Sequence, residues 1–500
     1  MKIQFKDVSF RYESRKETES VSKLNFTIES GEFILICGPS GSGKSTVGRI
    51  INGLAPGFYK GELTGKVLID GIDITTIPQV ELAGNIGSVF QNPRTQFFDT
   101  NSTGELAFGC ENMGYPREKI KERIHRAAVE FGLENLLDRD IFNLSGGEKQ
   151  KIACGSIYAV APDIYVFDEP SSNLDFVSIS ELAEIMKKLK AAGKTIILIE
   201  HRIHYASSMA DRIFYINAGR IVHILGNQEF FHLAQTELHR MGLRTARRPN
   251  TDFSCEERIE SSIQTSVNIE KLAFSYQKRR LDTNHALNIQ DLQLPSGKVI
   301  ALVGKNGAGK STFVKCMCGL EKGENAKVTG EAGSISRKQR LKDSYLVMQD
   351  VNHQLFSESV EGELLLSNPE LTKEQLDMYL ADLDLTEFSA DHPMALSGGQ
   401  KQRVAVAAAC AAKKKYLYLD EPTSGLDYIQ MKNMSKAIQK IKERVSHVLI
   451  VTHDTEFILE CCEYVIELEK GVVKCMYPLD AAGREILFDF FGIGRKEHCK

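Results

Sequence analysis

Along the chain, short runs dominated by apolar residues recur between longer mixed segments: FILIC (33–37), IYVFD (164–168), TIILIE (195–200), VIALV (299–303), YLYLD (416–420) and HVLIV (447–451). Runs this short and this apolar have no solvent-facing side, which predicts strands buried on both faces of a sheet. The segments KIKERIHRAAVEFGL (119–133) and KEQLDMYLADLDL (373–385) instead space their apolar residues at the helical period and predict helices. Strands alternating with helix-length segments indicate a parallel sheet covered by helices. FILIC and VIALV each lead into a Gly-rich turn and then a helix. Around TARRPNTDFSCEERIESSIQTS (244–265) the apolar pattern gives way to polar residues, which marks a linker between 1–243 and 266–500.

The two flanks of that linker are one unit written twice. GPSGSGKST (38–46) returns as GKNGAGKST (304–312), LSGGEKQ (144–150) as LSGGQKQ (396–402), and FDEPSSNLD (167–175) as LDEPTSGLD (419–427). Ser145 to Asp168 and Ser397 to Asp420 are both 23 residues, and Glu169 to His201 and Glu421 to His453 are both 32. Lys44 to Gln91 is 47 residues against 39 from Lys310 to Gln349, so the second copy is shorter in its front half, a change that a shorter surface loop absorbs.

Composition narrows the class without choosing a function. The 500 residues, at about 150 per domain, suggest about three domains and ample core. With 62 basic and 66 acidic side chains the net charge is -4, which excludes a strongly cationic nucleic-acid coat, and 42% apolar residues exclude a disordered chain. The longest apolar run, 404–412, is about half of the roughly 20 residues a membrane-spanning helix needs. The start, MKIQFKDVSF, lacks the continuous apolar stretch of a secretory signal, so a cytoplasmic location is expected. Eleven cysteines include no CxxC, and several lie inside apolar segments, as small buried thiols do.

The repeated motifs carry phosphate chemistry. GxxxxGK[ST] between a strand and a helix lets small residues bring backbone N–H groups against phosphate oxygens, at a helix terminus whose partial positive charge favours anions. Lys44 and Lys310 would reach the β- and γ-phosphates, where one such pair at about 4 Å and an effective dielectric of 20 is worth about 4 kcal/mol before desolvation. Ser45 and Ser311 would give a hydroxyl to Mg²⁺. Asp168 and Asp420 end buried strands, where a carboxylate can hold Mg²⁺ directly or through water. Glu169 and Glu421 follow immediately and point elsewhere, toward a water attacking the γ-phosphate.

With LSGG[EQ]KQ added, both halves resemble the nucleotide-binding domains of ATP-binding cassette (ABC) proteins over nearly the whole chain. The resemblance implies an α/β fold of two P-loop NTPase domains, each a RecA-like parallel-sheet core with an antiparallel β subdomain and an inserted α-helical subdomain. It implies an ATPase using ATP and Mg²⁺. The phosphate-binding loops would be Gly38, Pro39, Ser40, Gly41, Ser42, Gly43, Lys44, Ser45 and Thr46, and Gly304, Lys305, Asn306, Gly307, Ala308, Gly309, Lys310, Ser311 and Thr312. In the family two domains pack head to tail, which would pair Lys44, Glu169 and His201 with Ser397, Gly398 and Gly399, and Lys310, Glu421 and His453 with Ser145, Gly146 and Gly147. Tyr12 and Tyr276 resemble the aromatics that stack on adenine, with strand core as the alternative. Gln91 and Gln349 resemble the glutamines that sense Mg²⁺ and γ-phosphate. His201 and His453 resemble the switch histidine, and Asp175 and Asp427 the aspartates at the dimer seam. Two departures, Glu148 where the second copy has Gln400 and Asn173 in SSNLD, bear on whether the two sites turn over equally.

QNPRTQFF (91–98) with STGELAFGCENMGYP (102–116), and QDVNHQLF (349–356) with ESVEGELLLS (358–367), resemble the energy-coupling-factor type of ABC ATPase, as does IEHR (199–202). In both copies a Gln stands five residues (Gln96, Gln354) and a Glu fourteen residues (Glu105, Glu363) beyond the first Gln. This resemblance implies a transmembrane T component and a substrate-binding S component as partners, a peripheral position at the cytoplasmic face of the cell membrane, and no nucleic acid. Phe97, Phe98, Leu355 and Phe356 would then contact the T component, or else belong to the core of the helical subdomain. The aromatic tail 479–496 either closes the second domain or meets a partner. The rival expectations are a tandem carbohydrate-importer ATPase and a soluble ABC-F-type ATPase acting on ribosomes.

Overall fold

The computed structural model describes residues 1–14, 19–91, 93–172, 174–246, 264–276 and 286–493. Asn92, Asn173, residues 247–263 of the expected linker and 494–496 of the tail lie outside the described residues. The chain divides into two units, Met1–Arg248 and Pro249–Lys500.

In the first unit β1 (Ile3–Tyr12), β2 (Val21–Ile28), β3 (Phe33–Cys37), α1 (Lys44–Ile51), β4 (Gly61–Ile69), β5 (Ile72–Asp73) and β6 (Ile86–Val89) come first. They are followed by α2 (Ser102–Asn112), α3 (Arg117–Phe131), α4 (Gly146–Val160), β7 (Ile164–Asp168), α5 (Phe176–Ala191), β8 (Thr195–Ile199), β9 (Arg212–Asn217) and β10 (Arg220–Gly226). A six-stranded sheet runs β10-β9-β3-β8-β7-β6, parallel except for β10 at its edge, and a four-stranded antiparallel sheet runs β2-β1-β4-β5.

All five residues of β3 are fully buried, and their alternation explains why two cores form. Ile34 and Ile36 face a core shared with Ile3, Phe5 and Phe10 of β1, Val47 and Ile50 of α1, and Phe214 of β9. Phe33, Leu35 and Cys37 face the opposite core, with Ile152 and Cys154 of α4 and Leu182 and Met186 of α5. Between β6 and β7, helices α2 and α3 pack with the end of α4 through Ala107, Cys110, Ile120, Ala127, Ala159 and Val160, forming the inserted helical subdomain. Gly132 in the left-handed conformation (φ 62°) ends α3.

The second unit repeats this order. It contains β11 (Thr265–Phe274), β12 (Leu287–Pro295), β13 (Lys298–Val303), α6 (Lys310–Met317), β14 (Glu324–Gly330), β15 (Gly333–Ser334), β16 (Ser344–Val347), α7 (Val360–Ser367) and α8 (Lys373–Asp382). After these come α9 (Gly398–Ala411), β17 (Tyr416–Asp420), α10 (Tyr428–Lys442), β18 (His447–Val451), β19 (Tyr464–Glu469), β20 (Val472–Pro478) and α11 (Ala481–Phe490). Its sheets run β16-β17-β18-β13-β19-β20 and β12-β11-β14-β15. The first strand, β11, begins at Thr265, inside the expected linker by one residue. In the tail, Leu487 and Phe488 of α11 are buried in the unit.

The eight residues missing from the second copy do not come out of one loop. The loop after the phosphate-binding helix is 52–60 in one unit and 318–323 in the other; β4 has nine residues against seven in β14; and 74–78 shrinks to 335–336. All three changes fall at or beside the small antiparallel sheet, where length can vary without disturbing the parallel strands.

A histidine sits at the base of the second parallel sheet. His447 opens β18 fully buried, with Nδ1 2.9 Å from Ser266 Oγ and Nε2 3.4 Å from Tyr418 Oη. Burial pushes its pKa down to about 3, from an ordinary value near 6.5. The folded ring therefore stays neutral on acidification while the unfolded chain takes up the proton, so stability falls as pH drops below about 6.5. We expect the wild type to lose about 2 kcal/mol more than His447→Asn between pH 6.5 and 5, measured by urea denaturation.

Candidate functional site

Each phosphate-binding loop leaves its strand against a neighbouring backbone. A Cβ on Gly38 would stand 2.0 Å from the Ile216 carbonyl oxygen, and one on Gly304 2.4 Å from that of Leu468, so no larger residue fits. Gly43 (φ 99°) and Gly309 (φ 97°) are the N-caps of α1 and α6, and neither helix start receives a side-chain cap. First-turn N–H groups are thus left for an external acceptor, and Gly41 and Gly307 leave open space above the loop. The Ser42 hydroxyl is buried without a hydrogen-bond partner. These features fit a triphosphate. Lys44 Nζ donates to the carbonyls of Gly38 (3.0 Å) and Pro39 (2.8 Å), and Lys310 Nζ to those of Gly304 (2.7 Å) and Lys305 (3.0 Å), so both buried ammonium groups already lie over their loops.

At the far end of the loops stand the two tyrosines. Tyr12 Oη is 3.2 Å from Thr46 Oγ1 and receives Arg49 Nη1 at 3.0 Å, while Tyr276 Oη is 2.8 Å from Thr312 Oγ1. Tyr12 is half-buried and Tyr276 exposed, so neither is plain strand core.

The acidic residues meet the loop from the end of β7. Ser45 Oγ donates to Asp168 Oδ1 at 3.0 Å. Gln91 Nε2 donates to Glu169 Oε2 at 2.7 Å, and His201 Nε2 lies 3.4 Å from Glu169 Oε1. Burial, with the neighbouring Glu169 charge, pushes the Asp168 carboxyl up to about 6. Burial pushes Glu169 up to about 7, opposed by Lys44. In the second unit Asp420 is raised by burial and lowered in part by its bond from Ser311 and by Lys310, and His453 Nε2 lies 3.6 Å from Glu421 Oε1. Two largely buried aspartates, each beside a serine hydroxyl, fit a divalent cation.

Both glutamates adopt positive φ, 47° at Glu169 and 51° at Glu421, and their N–H groups donate to Ile199 and Val451 of the adjacent strands at 2.8 and 2.9 Å. The left-handed turn directs the glutamate side chain away from the line of the strand while its backbone stays in the ladder.

The signature serines are N-caps. Ser145 begins α4 and Ser397 begins α9, each in a reciprocal capping box with the residue three positions on. That partner differs: Glu148 Oε2 accepts both the Ser145 N–H and its hydroxyl at 2.8 Å, whereas Gln400 Oε1 accepts the Ser397 N–H at 2.8 Å. Among the described residues no hydrogen bond joins Ser145 or Ser397 to the phosphate loop of its own unit. Asp175 and Asp427 are buried N-caps of α5 and α10, accepting from Ser178 and Gln430 N–H at 2.8 Å.

The repeated Gln and Glu beyond Gln91 and Gln349 have a common geometry. Gln96 and Gln354 accept the N–H of Phe90 and Met348. Buried Glu105 accepts the N–H groups of Phe98 (2.9 Å) and Asp99 (3.0 Å), and buried Glu363 those of Phe356 (3.0 Å) and Ser357 (2.8 Å). The four expected contact residues separate cleanly: Leu355 is buried and Phe97 packs on the core, whereas Phe98 and Phe356 are 74% and 76% exposed. Sequence reasoning passed over Glu200 and Asp454, buried carboxylates flanking the two histidines; the acid closing the apolar run TIILIE was the available signal.

The fold and this site define a tandem ATPase. The ABC transporter family model matches residues 21–172 and 287–424, and the chain belongs to that family, carrying its ATP-binding domain twice. A putative ABC transporter ATP-binding protein of Treponema denticola is 41% identical over 94% of this chain and 96% of its own. A second such protein of the same organism is 37% identical over 96% and 98%. In fold, the chain is similar to the archaeal ribosome recycling factor aABCE1, solved with the ribosomal stalk protein aP1, with a TM-score of 0.66 and 23% identity over 98% of this chain and 94% of that one. The protein is an ATPase of the ABC class, using ATP with Mg²⁺. No helix among the described residues is long and apolar enough to cross a membrane.

Replacing Gly38 by Ala forces the loop off β9, given the 2.0 Å separation from Ile216 O. The Gly38→Ala variant is expected to melt several degrees lower and to bind a fluorescent ATP analogue less tightly at the first unit, by at least about tenfold.

Proposed function

We propose that the protein is the ATP-hydrolysing subunit of a membrane importer of the energy-coupling-factor type, with domains at 1–243 and 266–500 and a linker at 244–265. Its partners are a transmembrane T component and a substrate-binding S component, it sits peripherally at the cytoplasmic face of the membrane, and it takes no nucleic acid. One observation carries this reading: at the same position both units present a largely exposed phenylalanine whose backbone N–H is held by a buried glutamate, the Phe98 ring stacking on Phe108 at 4.8 Å. Exposed apolar rings on a backbone fastened the same way in both units suit a partner surface better than a core. The clamp also lies a few residues from Gln91, which touches Glu169, so a partner seated there is linked to the hydrolytic carboxylate.

In this reading Lys44 and Lys310, with the loop N–H groups, bind the triphosphate and offset charge developing on the γ-phosphate. Tyr12 and Tyr276 carry the base. Glu169 and Glu421 orient and polarise the attacking water, and His201 and His453 hold the glutamate and the γ-phosphate in line. Asp168 and Asp420, with Ser45, Ser311, Gln91 and Gln349, hold Mg²⁺, which neutralises phosphate charge when bound. Ser397, Gly398 and Gly399 complete the first site, and Ser145, Gly146 and Gly147 the second, each from the other half of the chain. The covalent tether raises the effective concentration of the halves.

The double variant Glu169→Gln with Glu421→Gln is expected to bind ATP and to hydrolyse it at least about a hundredfold more slowly, since a positioned base contributes that much or more. Unchanged steady-state hydrolysis would overturn the assignment. Phe98→Ala with Phe356→Ala is expected to keep its melting temperature and lose small integral membrane proteins on affinity purification from membranes. Ribosomes co-purifying with the wild type in their place would favour the ribosome-associated alternative.

A further inference from the structure

Glu200 is a buried carboxylate to which the hydrolytic chemistry above gives no task. It follows β8, is 2% exposed, and its own N–H continues the ladder to Ile36 O at 3.2 Å. Its Oε1 accepts the N–H groups of His201 (2.8 Å) and Arg202 (3.1 Å), and its Oε2 accepts the Tyr205 hydroxyl at 2.9 Å. Three donors from residues 201–205 thus converge on one acid. Bonds from N–H and O–H groups to a carboxylate are the stronger kind, so the short segment bearing His201 is fastened at both ends. The His201 ring, 7% exposed, then lies 3.4 Å from Glu169.

The second unit fixes its histidine with different parts. Thr452 stands where Glu200 would, and its hydroxyl accepts the Asp454 N–H at 3.1 Å. Asp454 accepts the Phe457 N–H (3.1 Å) and the hydroxyl of Thr423 (2.9 Å), two residues beyond Glu421. The anchoring acid lies before the histidine in one unit and bonds its own segment. In the other it lies after the histidine and bonds both its own segment and the one that carries the glutamate.

We propose that Glu200 is a positioning residue for hydrolysis at the first unit, holding His201 against Glu169 through the bonds to His201, Arg202 and Tyr205, and that Asp454 with Thr423 does this at the second. The proposal rests on the assignment of Glu169 and His201 made above. A group that acts only through the histidine has nothing left to contribute once the imidazole is gone.

The test compares kcat and KM for ATP in the full-length protein carrying Glu200→Thr, His201→Ala, both together, and Glu200→Gln, which keeps one acceptor oxygen. Glu200→Thr is expected to lower kcat toward the His201→Ala value with KM within about twofold of wild type. The double variant is expected to be no slower than His201→Ala, and Glu200→Gln to stay within about twofold of wild type. If Glu200→Thr does not fold, Tyr205→Phe removes one of the three donors without opening a cavity; it is expected to lower kcat, again with no added effect beside His201→Ala. Wild-type kcat in whichever of these two variants folds, or single effects that multiply in the double variant, would overturn the proposal. A His201→Ala protein with wild-type kcat would overturn the role of the histidine itself, and a fully active Glu169→Gln with Glu421→Gln protein the reading beneath both.

Discussion

Two adjacent carboxylates at the buried end of a parallel strand impose the central constraint on each unit. Taking an acid out of water disfavours its charged form: burial, with the Glu169 charge beside it, brings Asp168 to about 6, and burial opposed by Lys44 brings Glu169 to about 7. The surroundings answer that cost. A serine hydroxyl, a lysine ammonium, a glutamine amide and a histidine converge on the pair from three different segments, through Ser45 with Lys44, Gln91 and His201. The strand order β3-β8-β7-β6 brings the ends of those segments to one edge of the sheet. The fold is therefore a device for holding these acids where a cation and a polyphosphate can relieve them.

Much of this was legible in the sequence, because the pieces that matter are short and local. Runs such as FILIC and HVLIV are too apolar to be anything but doubly covered strands, and they proved buried throughout. Residues 38–46 and 304–312 announced a phosphate loop because glycine spacing encodes backbone approach directly. What could not be read was where side chains end up when their partners are distant in sequence. Nothing in QNPRTQFF says that Phe97 packs on the core while Phe98, whose N–H Glu105 accepts, stacks on Phe108 and stays largely exposed. The seam aspartates Asp175 and Asp427 were legible as motif members but not as helix caps. The length difference was visible as a sum, and its distribution over three places around the antiparallel sheet was not.

The two units share a frame and differ in how they tighten it. In the first, Ser145 gives its hydroxyl to a carboxylate, Glu148; in the second, Gln400 holds the Ser397 N–H through an amide oxygen. The Tyr12 hydroxyl takes a bond from Arg49, whose guanidinium also covers Tyr59 at 4.2 Å, while Tyr276 stays exposed. These contrasts sit beside the reacting groups rather than among them. Duplication has left the proposed reacting groups the same and let their supports diverge.

The backbone at Glu169 and Glu421 carries a cost. At φ 47° and 51°, each is a glutamate where glycine or asparagine would rest more easily, by about 1 kcal/mol. Keeping a glutamate there in both repeats therefore costs each unit backbone strain that folding does not require, and the proposed role in hydrolysis accounts for it.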